Sequence, residues 1–498
     1  MKKVVSVSQS RMLEQMLIEK ENNGIMLMGK AAQGVYDAVS FSGKVAIVCG
    51  TGNNGGDGYA LAKLLYQHGI VCKIFQLGVP QTEDSCFYCE QCFQLGIPCE
   101  LISDQMSLVG YDMVVDCIFG IGFHGTLPSF VLGIIRQINE AEAYVVSVDI
   151  NSGLLSDSGL AECAVYSSLT VSIGDYKPGH FLNQAKEYIG ELDQVSLGIE
   201  EGDTYAMVME TSDFCSIFPK RHQDSNKGNY GKAVIMGGSI EYSGAIKMAN
   251  LSCAALRSGC GLATVVVPRS IESAVLPYLV ESTLFSFPDE NGVMICDGKV
   301  LHQALDQATC VALGMGWLHK LSHSCLLELI LKECSIPIVI DAGGLGLLAE
   351  KKELLKTTKA TVILTPHLKE FSRLTGLSIQ ELKADLVRYA KAFALEYRVI
   401  LVLKGSTTIV TDGDTVYFST SGGPGMAKGG SGDVLSGILV GILSFSTQSI
   451  LLSVVAGVYI AGRANELAVC ELNEYSVLAR DTIYHVGEAI TEILSFNQ

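Results

Sequence analysis

The sequence predicts an α/β chain of two doubly wound domains, and three observations carry that prediction. Short β-branched runs alternate with helical stretches along most of the chain. One polar segment with little periodicity, residues 200–231, interrupts the alternation. With 498 residues, 48% of them apolar and only 17% charged, the chain has apolar surface for more than one core.

Taken in order, residues 9–38 carry Met12, Met16, Leu17, Met26, Met28, Ala31, Ala32 and Val35 at near-helical spacing, broken at Asn23 and Gly24, which predicts packing helices. Buried strands start at Lys44 with KVAIVCG and continue through VCKIFQLG, YDMVVDCIFG and AYVVSVDI, with GYALAKLLYQHG as a helix after the first. This series fades at residues 195–199. A second series opens with KAVIMGG and runs through GLATVVVP, CVALGMG, PIVIDAGG, ATVILTP, VILVLKG and TVYFST to two apolar helices. No repeat relates the halves, so the expected domains are 1–205 and 206–498. In such sheets function gathers at the strand C-termini.

Thirty-five Lys and Arg against 52 Asp and Glu give a net charge of −17, a field that repels nucleic acid and anionic membrane. The apolar stretches 434–445 and 450–462 fall short of the roughly 20 residues of a membrane span and read as core helices. The opening MKKVVSVSQSRMLEQM has no apolar export core, so a cytoplasmic protein is expected, with its 16 cysteines reduced. Cys86, Cys89 and Cys92 lie along one predicted helical face, with Cys99 beyond Gly96. Thiols strung along a helix axis diverge rather than converge on a metal.

After KVAIVCG comes Thr51-Gly52-Asn53-Asn54-Gly55-Gly56-Asp57-Gly58, opening onto a helix. Backbone amides and a helix N-terminus there form a candidate phosphate cradle, with a tight Gly/Asn turn as the plain alternative. Asp116 ends a second strand, with Gly120-Ile121-Gly122-Phe123-His124-Gly125-Thr126 beyond it, and Asp149 ends a third, followed by Asn151, Ser152 and Gly153. These motifs, GNNGGDGY, D-x-x-x-G-x-G and D-I-x-S-G, resemble the NAD(P)H-hydrate epimerases, with a Rossmann-like fold. The resemblance implies that Asn53, Asn54, Gly55, Gly56 and Asp57, together with residues 120–126, line a hydrated dinucleotide. It also implies that Asp149 handles its protons and that Asn54, Asp116 and Ser152 hold a potassium ion. Such an oxygen set suits a weakly hydrated monovalent cation better than zinc. Asn151 stands where the family has Pro, which would loosen the loop.

In the second half, Gly422-Gly423-Pro424-Gly425-Met426-Ala427-Lys428-Gly429-Gly430-Ser431-Gly432-Asp433 feeds a long apolar helix. Such a loop can present amides to a transferring phosphoryl group, and Asp433 can take a proton from an attacking hydroxyl or simply cap the helix. VILVLKG ends in Lys404-Gly405-Ser406-Thr407-Thr408, and ATVILTP runs into His367 with Glu370 one turn on. With KGNYG, GGS-x-x-YSGA and ALRSGCGL, these motifs resemble the ADP-dependent NAD(P)H-hydrate dehydratases, of ribokinase-like fold. The resemblance implies that residues 404–408 and 425–432 bind ADP with Mg²⁺, and that Ala245, Gly316, His367 and Asp433 contact the hydrated cofactor. Met315, Leu368-Lys369, DAGGLG, Gly423 and Lys428 depart from the family pattern.

Together the two resemblances imply repair of hydrated NADH and NADPH: epimerisation of the R and S forms, then dehydration of the S form as ADP goes to AMP and phosphate, by a homo-oligomer with no nucleic-acid or membrane partner. The residues alone leave a second reading open. It is an ATP-dependent small-molecule kinase, of sugar or hydroxyethylthiazole type, behind a non-catalytic N-terminal module.

Overall fold

The computed structural model describes residues 1–21, 23–103, 106–198, 203–251 and 256–496. The chain divides into two compact units, one of Lys2–Met207 and one dominated by Val208–Gln498.

The first unit begins with helices α1 (Val7–Glu21) and α2 (Gly24–Ala38). They part at Asn23, whose side chain caps α2 by accepting from the Met26 amide at 3.1 Å. Met28, Ala31, Ala32 and Val35 of α2 are buried as expected, while Met12 and Met16 of α1 are 60% and 54% exposed. The packing role read for α1 therefore needs correction: residues 11, 14 and 18, one helical face, turn toward a cavity described below.

Seven parallel strands follow: β1 (Lys44–Cys49), β2 (Val71–Gln76), β3 (Cys99–Leu101), β4 (Met113–Cys117), β5 (Tyr144–Val148), β6 (Ser167–Ile173) and β7 (Ile189–Val195). Their order is β3-β2-β1-β4-β5-β6-β7. Helices α2, α3 (Asn53–Gln67) and α4 (Glu83–Gln94) cover one face, and α5 (Ser129–Glu140) covers the other through Ile134, Ile135 and Ile138. Cover on both faces is why β1 and β4 are almost unbroken apolar runs. Strand β6 escaped the sequence reading because its run SSLTVSI buries Ser167, Thr170 and Ser172, which hydrogen-bond within the fold.

In the second unit lie β8 (Lys232–Met236), β9 (Leu262–Pro268), β10 (Thr283–Phe287), β11 (Cys310–Leu313), β12 (Ile338–Ile340), β13 (Val362–Leu364), β14 (Ile400–Leu403), β15 (Thr408–Thr411) and β16 (Val416–Ser419). They stand in the order β16-β15-β14-β13-β12-β11-β8-β9-β10, parallel except where β15 pairs with its two neighbours. Helix α6 spans Ser243–Asn250, and residues 252–255 lie outside the described residues.

The C-terminal helices are α7 (Ser431–Phe445), α8 (Ile450–Leu472) and α9 (Ala479–Ser495). Helix α8 is longer than its apolar stretch suggests: its 23 residues could cross a membrane by length, yet 61% of its most apolar window is buried inside the protein. It packs on both α7 and α9.

One expectation about the thiols fails. Cys296 and Cys325, 29 residues apart, are joined in a disulfide with their Cα atoms 5.9 Å apart, because the segment after the Asp289–Glu290/Val293–Met294 hairpin lies against the helix Leu321–Glu333.

Ile438, fully buried in α7, reports on this core. Ile438→Ala is expected to destabilise the second unit by about 2–5 kcal/mol in chemical denaturation. A loss under about 1 kcal/mol would contradict the packing.

Two candidate active sites

The first site is a cavity of about 620 Å³ at the C-terminal edge of the first sheet. Asn53, Asn54 and Asp57 reach it from the start of α3, residues 120–124 from beyond β4, and Asp149 from the end of β5. The glycines of the first turn have a different task. Helix α3 starts at Asn53, so Gly55 and Gly56 are helical and buried. A Cβ on Gly55 would stand 2.0 Å from the Gly50 carbonyl oxygen, so close approach of helix to sheet demands glycine there. Gly55 and Gly56 are thus not part of the cavity wall, and neither are Gly125 and Thr126.

Asp149 is 8% exposed and has φ of 67°, in the left-handed region. What holds it there was not legible in the sequence. Lys177, fully buried, donates from Nζ to Asp149 Oδ1 at 2.8 Å and to the Ile173 carbonyl at 2.6 Å. The Ile121 amide donates to Asp149 Oδ2 at 3.0 Å. His180 accepts the Lys177 amide at Nδ1, 3.0 Å, so its Nε2 carries the proton donated to the Asp149 carbonyl at 2.8 Å. Burial, reinforced by the Lys177 charge, pushes His180 down to about 4, so it is neutral at physiological pH. The segment DYKPGH has no spacing that announces Lys177 as a charge partner.

Other carboxylates share the cavity. Burial and the charges of Asp149, Glu14 and Asp84 push Asp57 well above the usual range, and burial with the Asp149 charge raises Glu14.

Asp116, Ser152 and Asn54 lie at the same edge of this unit. Asp116 is fully buried, and burial raises it against four donors: Ser152 Oγ at 2.6 Å, the Ser152 amide at 2.9 Å, Ser147 Oγ at 3.0 Å and the Ile118 amide at 3.2 Å. Asn54 is 8% exposed, and neither polar atom of its side chain has a partner. An orphaned buried amide at a sheet edge that also carries one carboxylate and a hydroxyl fits a monovalent cation, which would complete the Asn54 oxygen. Asn151, expected to loosen this loop, does the reverse. Its amide donates to Val165 O, Ser167 Oγ and Tyr188 O at 2.8–3.0 Å and accepts from Thr170 at 2.6 Å.

In the second unit the predicted residues gather at the C-terminal edge of β8 to β14. Gly316 has φ of 77°, and a Cβ there would stand 2.7 Å from the Tyr242 carbonyl oxygen, so the loops after β11 and β8 touch. Ala245 lies in the first turn of α6. His367 and Lys404 are bridged as neighbours at the ends of β13 and β14. His367 Nδ1 accepts the Lys369 and Glu370 amides, capping the next helix, and the ring is 52% exposed. Thr407 Oγ1 is buried without a partner. Gly425 is buried against Val469 and Val477, and Lys428 donates to the Tyr475 carbonyl.

The residue that organises this edge is Asp341, which the sequence reading passed over. Lys404 Nζ donates to its Oδ1 at 3.0 Å and Ser436 Oγ to its Oδ2 at 3.1 Å. Burial alone would raise Asp341, but the Lys404 ammonium and the hydrogen bonds outweigh it and hold the carboxyl below the usual range. Among the described residues no lysine forms an ion pair with Asp433, at the start of α7. Burial, then the Asp341 charge, push it up to about 7 despite Lys404.

Fold and sites define a two-site α/β enzyme, each unit with an aspartate at the C-terminal edge of a parallel sheet. Residues 24–179 match the family described as YjeF-related protein N-terminus, and residues 233–485 match the family described as NAD(P)H-hydrate dehydratase. A bifunctional NAD(P)H-hydrate repair enzyme from Coxiella burnetii is 32% identical over 96% of this chain and 97% of its own. The one from Moorella thermoacetica is 31% identical over 92% and 91%. The crystal structure of an ADP/ATP-dependent NAD(P)H-hydrate dehydratase from Bacillus subtilis, co-crystallised with ATP/Mg²⁺, superposes with a TM-score of 0.50 at 27% identity, covering 58% of this chain and 99% of that one. A ribokinase-like superfamily protein from Enterococcus faecalis, 24% identical with a TM-score of 0.50, shares the fold. The chain belongs to the family of bifunctional NAD(P)H-hydrate repair enzymes.

Lys177→Met leaves the Asp149 carboxylate buried without its ammonium. The expected loss is about 3–5 kcal/mol in the stability of the first unit, measured by urea titration, with partial recovery when Asp149→Asn is added. A single substitution costing under about 1 kcal/mol would show that the pair is not sealed from water.

Proposed function

We propose that the N-terminal domain, residues 1–205, to which the unit Lys2–Met207 corresponds, interconverts the R and S epimers of hydrated NADH and NADPH. The second, residues 206–498, dehydrates the S epimer as ADP is converted to AMP and phosphate. What carries this reading is that an aspartate stands beside a glycine-rich turn at the C-terminal sheet edge of each unit, in a chain belonging to this family.

In the first site Asp149 moves protons at the hydrated C6 of the nicotinamide ring. Lys177 and the Ile121 amide hold its carboxylate, and His180 fixes its backbone, so the group is oriented before substrate arrives. Asn53, Asn54, Asp57 and residues 120–124 enclose the dinucleotide. Asn54, Asp116 and Ser152 would hold K⁺, which supplies positive charge near the reacting ring when bound.

In the second site Asp433 takes the proton of the C6 hydroxyl, whose oxygen attacks the β-phosphorus of ADP while AMP leaves. Phosphate then departs from C6, driven by the ring nitrogen lone pair, and loss of a C5 proton restores the double bond. The amides of the glycine-rich loop at the start of α7 stabilise the transferring phosphoryl group. Lys404, Ser406, Thr407 and Thr408 meet the nucleotide. Among the described residues no trio of acidic, His or Cys side chains forms a metal cage, so Mg²⁺ would be held through nucleotide phosphates and would neutralise their charge. His367, anchored through Nδ1, keeps Nε2 for the hydrated cofactor. The protein works in the cytoplasm as a homo-oligomer.

The assay uses separated R and S hydrates with and without ADP. Asp149→Asn is expected to abolish interconversion while dehydration of the S form persists; undiminished interconversion would overturn the assignment. Asp433→Asn is expected to lower kcat/KM for dehydration by about 10²–10⁴-fold. The base must be ionised to act, so with Asp433 at about 7 the wild-type kcat/KM rises with pH up to about 7 and is level above it. A profile already flat from pH 5 to 8 would remove Asp433 as the base. Consumption of ATP to leave a phosphorylated alcohol, with no regain of dihydronicotinamide absorbance, would favour a kinase.

A further inference from the structure

The cavity of the first unit presents an electrostatic problem. Glu14, Asp57, Asp84 and Asp149 all line it, and an NAD(P)H hydrate brings a pyrophosphate of its own. Lys177 is committed to Asp149 behind the wall and does not face the cavity. Among the described lining residues the one Arg or Lys is Arg11.

Three observations make Arg11 more than a surface charge. Arg11, Glu14 and Ile18 stand at i, i+3 and i+7 on α1 and all line the cavity, so the helix turns this face inward while Met12 and Met16 face solvent. The guanidinium Nη2 lies 3.5 Å from where a Cβ on Gly122 would stand, over the glycine-rich turn beyond β4. Among the described residues no carboxylate stands within ion-pair distance of it, and its charge is felt by Glu14 one turn on, where it works against the rise of that carboxyl.

We propose that Arg11 is a phosphate contact of the first site, gripping a phosphate of the dinucleotide over the 120–122 turn. This rests on the reading of that site as the hydrate epimerase. A guanidinium presents paired N–H donors that match phosphate oxygens. Its guanidinium lies over Gly122 and forms no ion pair with Asp149 among the described residues, so it contributes to binding while the chemical step stays with Asp149. The phosphate gripped is either the pyrophosphate, common to both substrates, or the 2′-phosphate of NADPH hydrate.

The test is steady-state epimerisation of hydrated NADH and hydrated NADPH by the full chain, for wild type, Arg11→Ala and Arg11→Lys, at low and high salt. Arg11→Ala is expected to raise KM roughly tenfold with kcat nearly unchanged, and to flatten the rise of KM with salt, while Arg11→Lys recovers part of the loss. An equal increase for both substrates assigns the pyrophosphate, and a larger one for hydrated NADPH assigns the 2′-phosphate. Unchanged KM for both, or a fall in kcat at constant KM, overturns the proposal. Dehydration of the S hydrate by the same preparations checks that each variant is folded. Wild-type protein that does not epimerise at all would sink the epimerase reading itself, separately from the role of Arg11.

Discussion

Each unit must keep a charged carboxylate under the edge of a parallel sheet, and in each a lysine meets that demand. In the first unit Lys177 is sealed against Asp149 at 2.8 Å. In the second Lys404 lies 3.0 Å from Asp341. A buried charge without a partner costs several kcal/mol, so these pairs constrain which loops can close over each site. The outcomes differ because the lysines serve different carboxylates. Lys177 binds the aspartate that faces the cavity, whereas Lys404 satisfies Asp341 and leaves Asp433 raised to about 7. One site therefore offers an oriented, ion-paired carboxylate, and the other a group poised to exchange its proton near neutral pH.

The chain's charge of −17 gives phosphate-bearing ligands no general attraction, so each site must hold them locally. In the second unit helix α7 begins at Ser431 directly after the glycine-rich loop, with Gly430 as its N-cap. In the first, the glycines after β1 are spent on bringing α3 against the sheet. Gly58 repeats the constraint seen at Gly55, since a Cβ there would stand 2.7 Å from Cys49 Sγ. The turn beyond β4 and the inward face of α1 line the cavity together with Gly52, Asn53 and Asn54 at the start of α3.

Much of this was legible in the residues. The apolar strands β1, β4, β5 and β11 to β14 declare themselves because both sheet faces are covered, and Asp116, Asp149 and Asp433 follow from standing at strand ends or a helix entrance. Strand β6 was hidden because its buried Ser and Thr look like loop residues until Asn151 is there to bond them. The inward face of α1 was hidden because Met12 and Met16 suggest a packing stripe that the fold leaves exposed.

By itself the sequence determined the two α/β series, their order, and the glycine and aspartate motifs, all of which are local patterns of side-chain period and turn chemistry. Tertiary structure alone decided that Lys177 reaches Asp149 across 28 residues, that Lys404 reaches Asp341 across 63, and that Cys325 meets Cys296. The reason is physical. Partners for buried charges and thiols are chosen by which strand ends become neighbours in the sheet and which helices pack beside them, and that adjacency has no signature within any one segment of the chain.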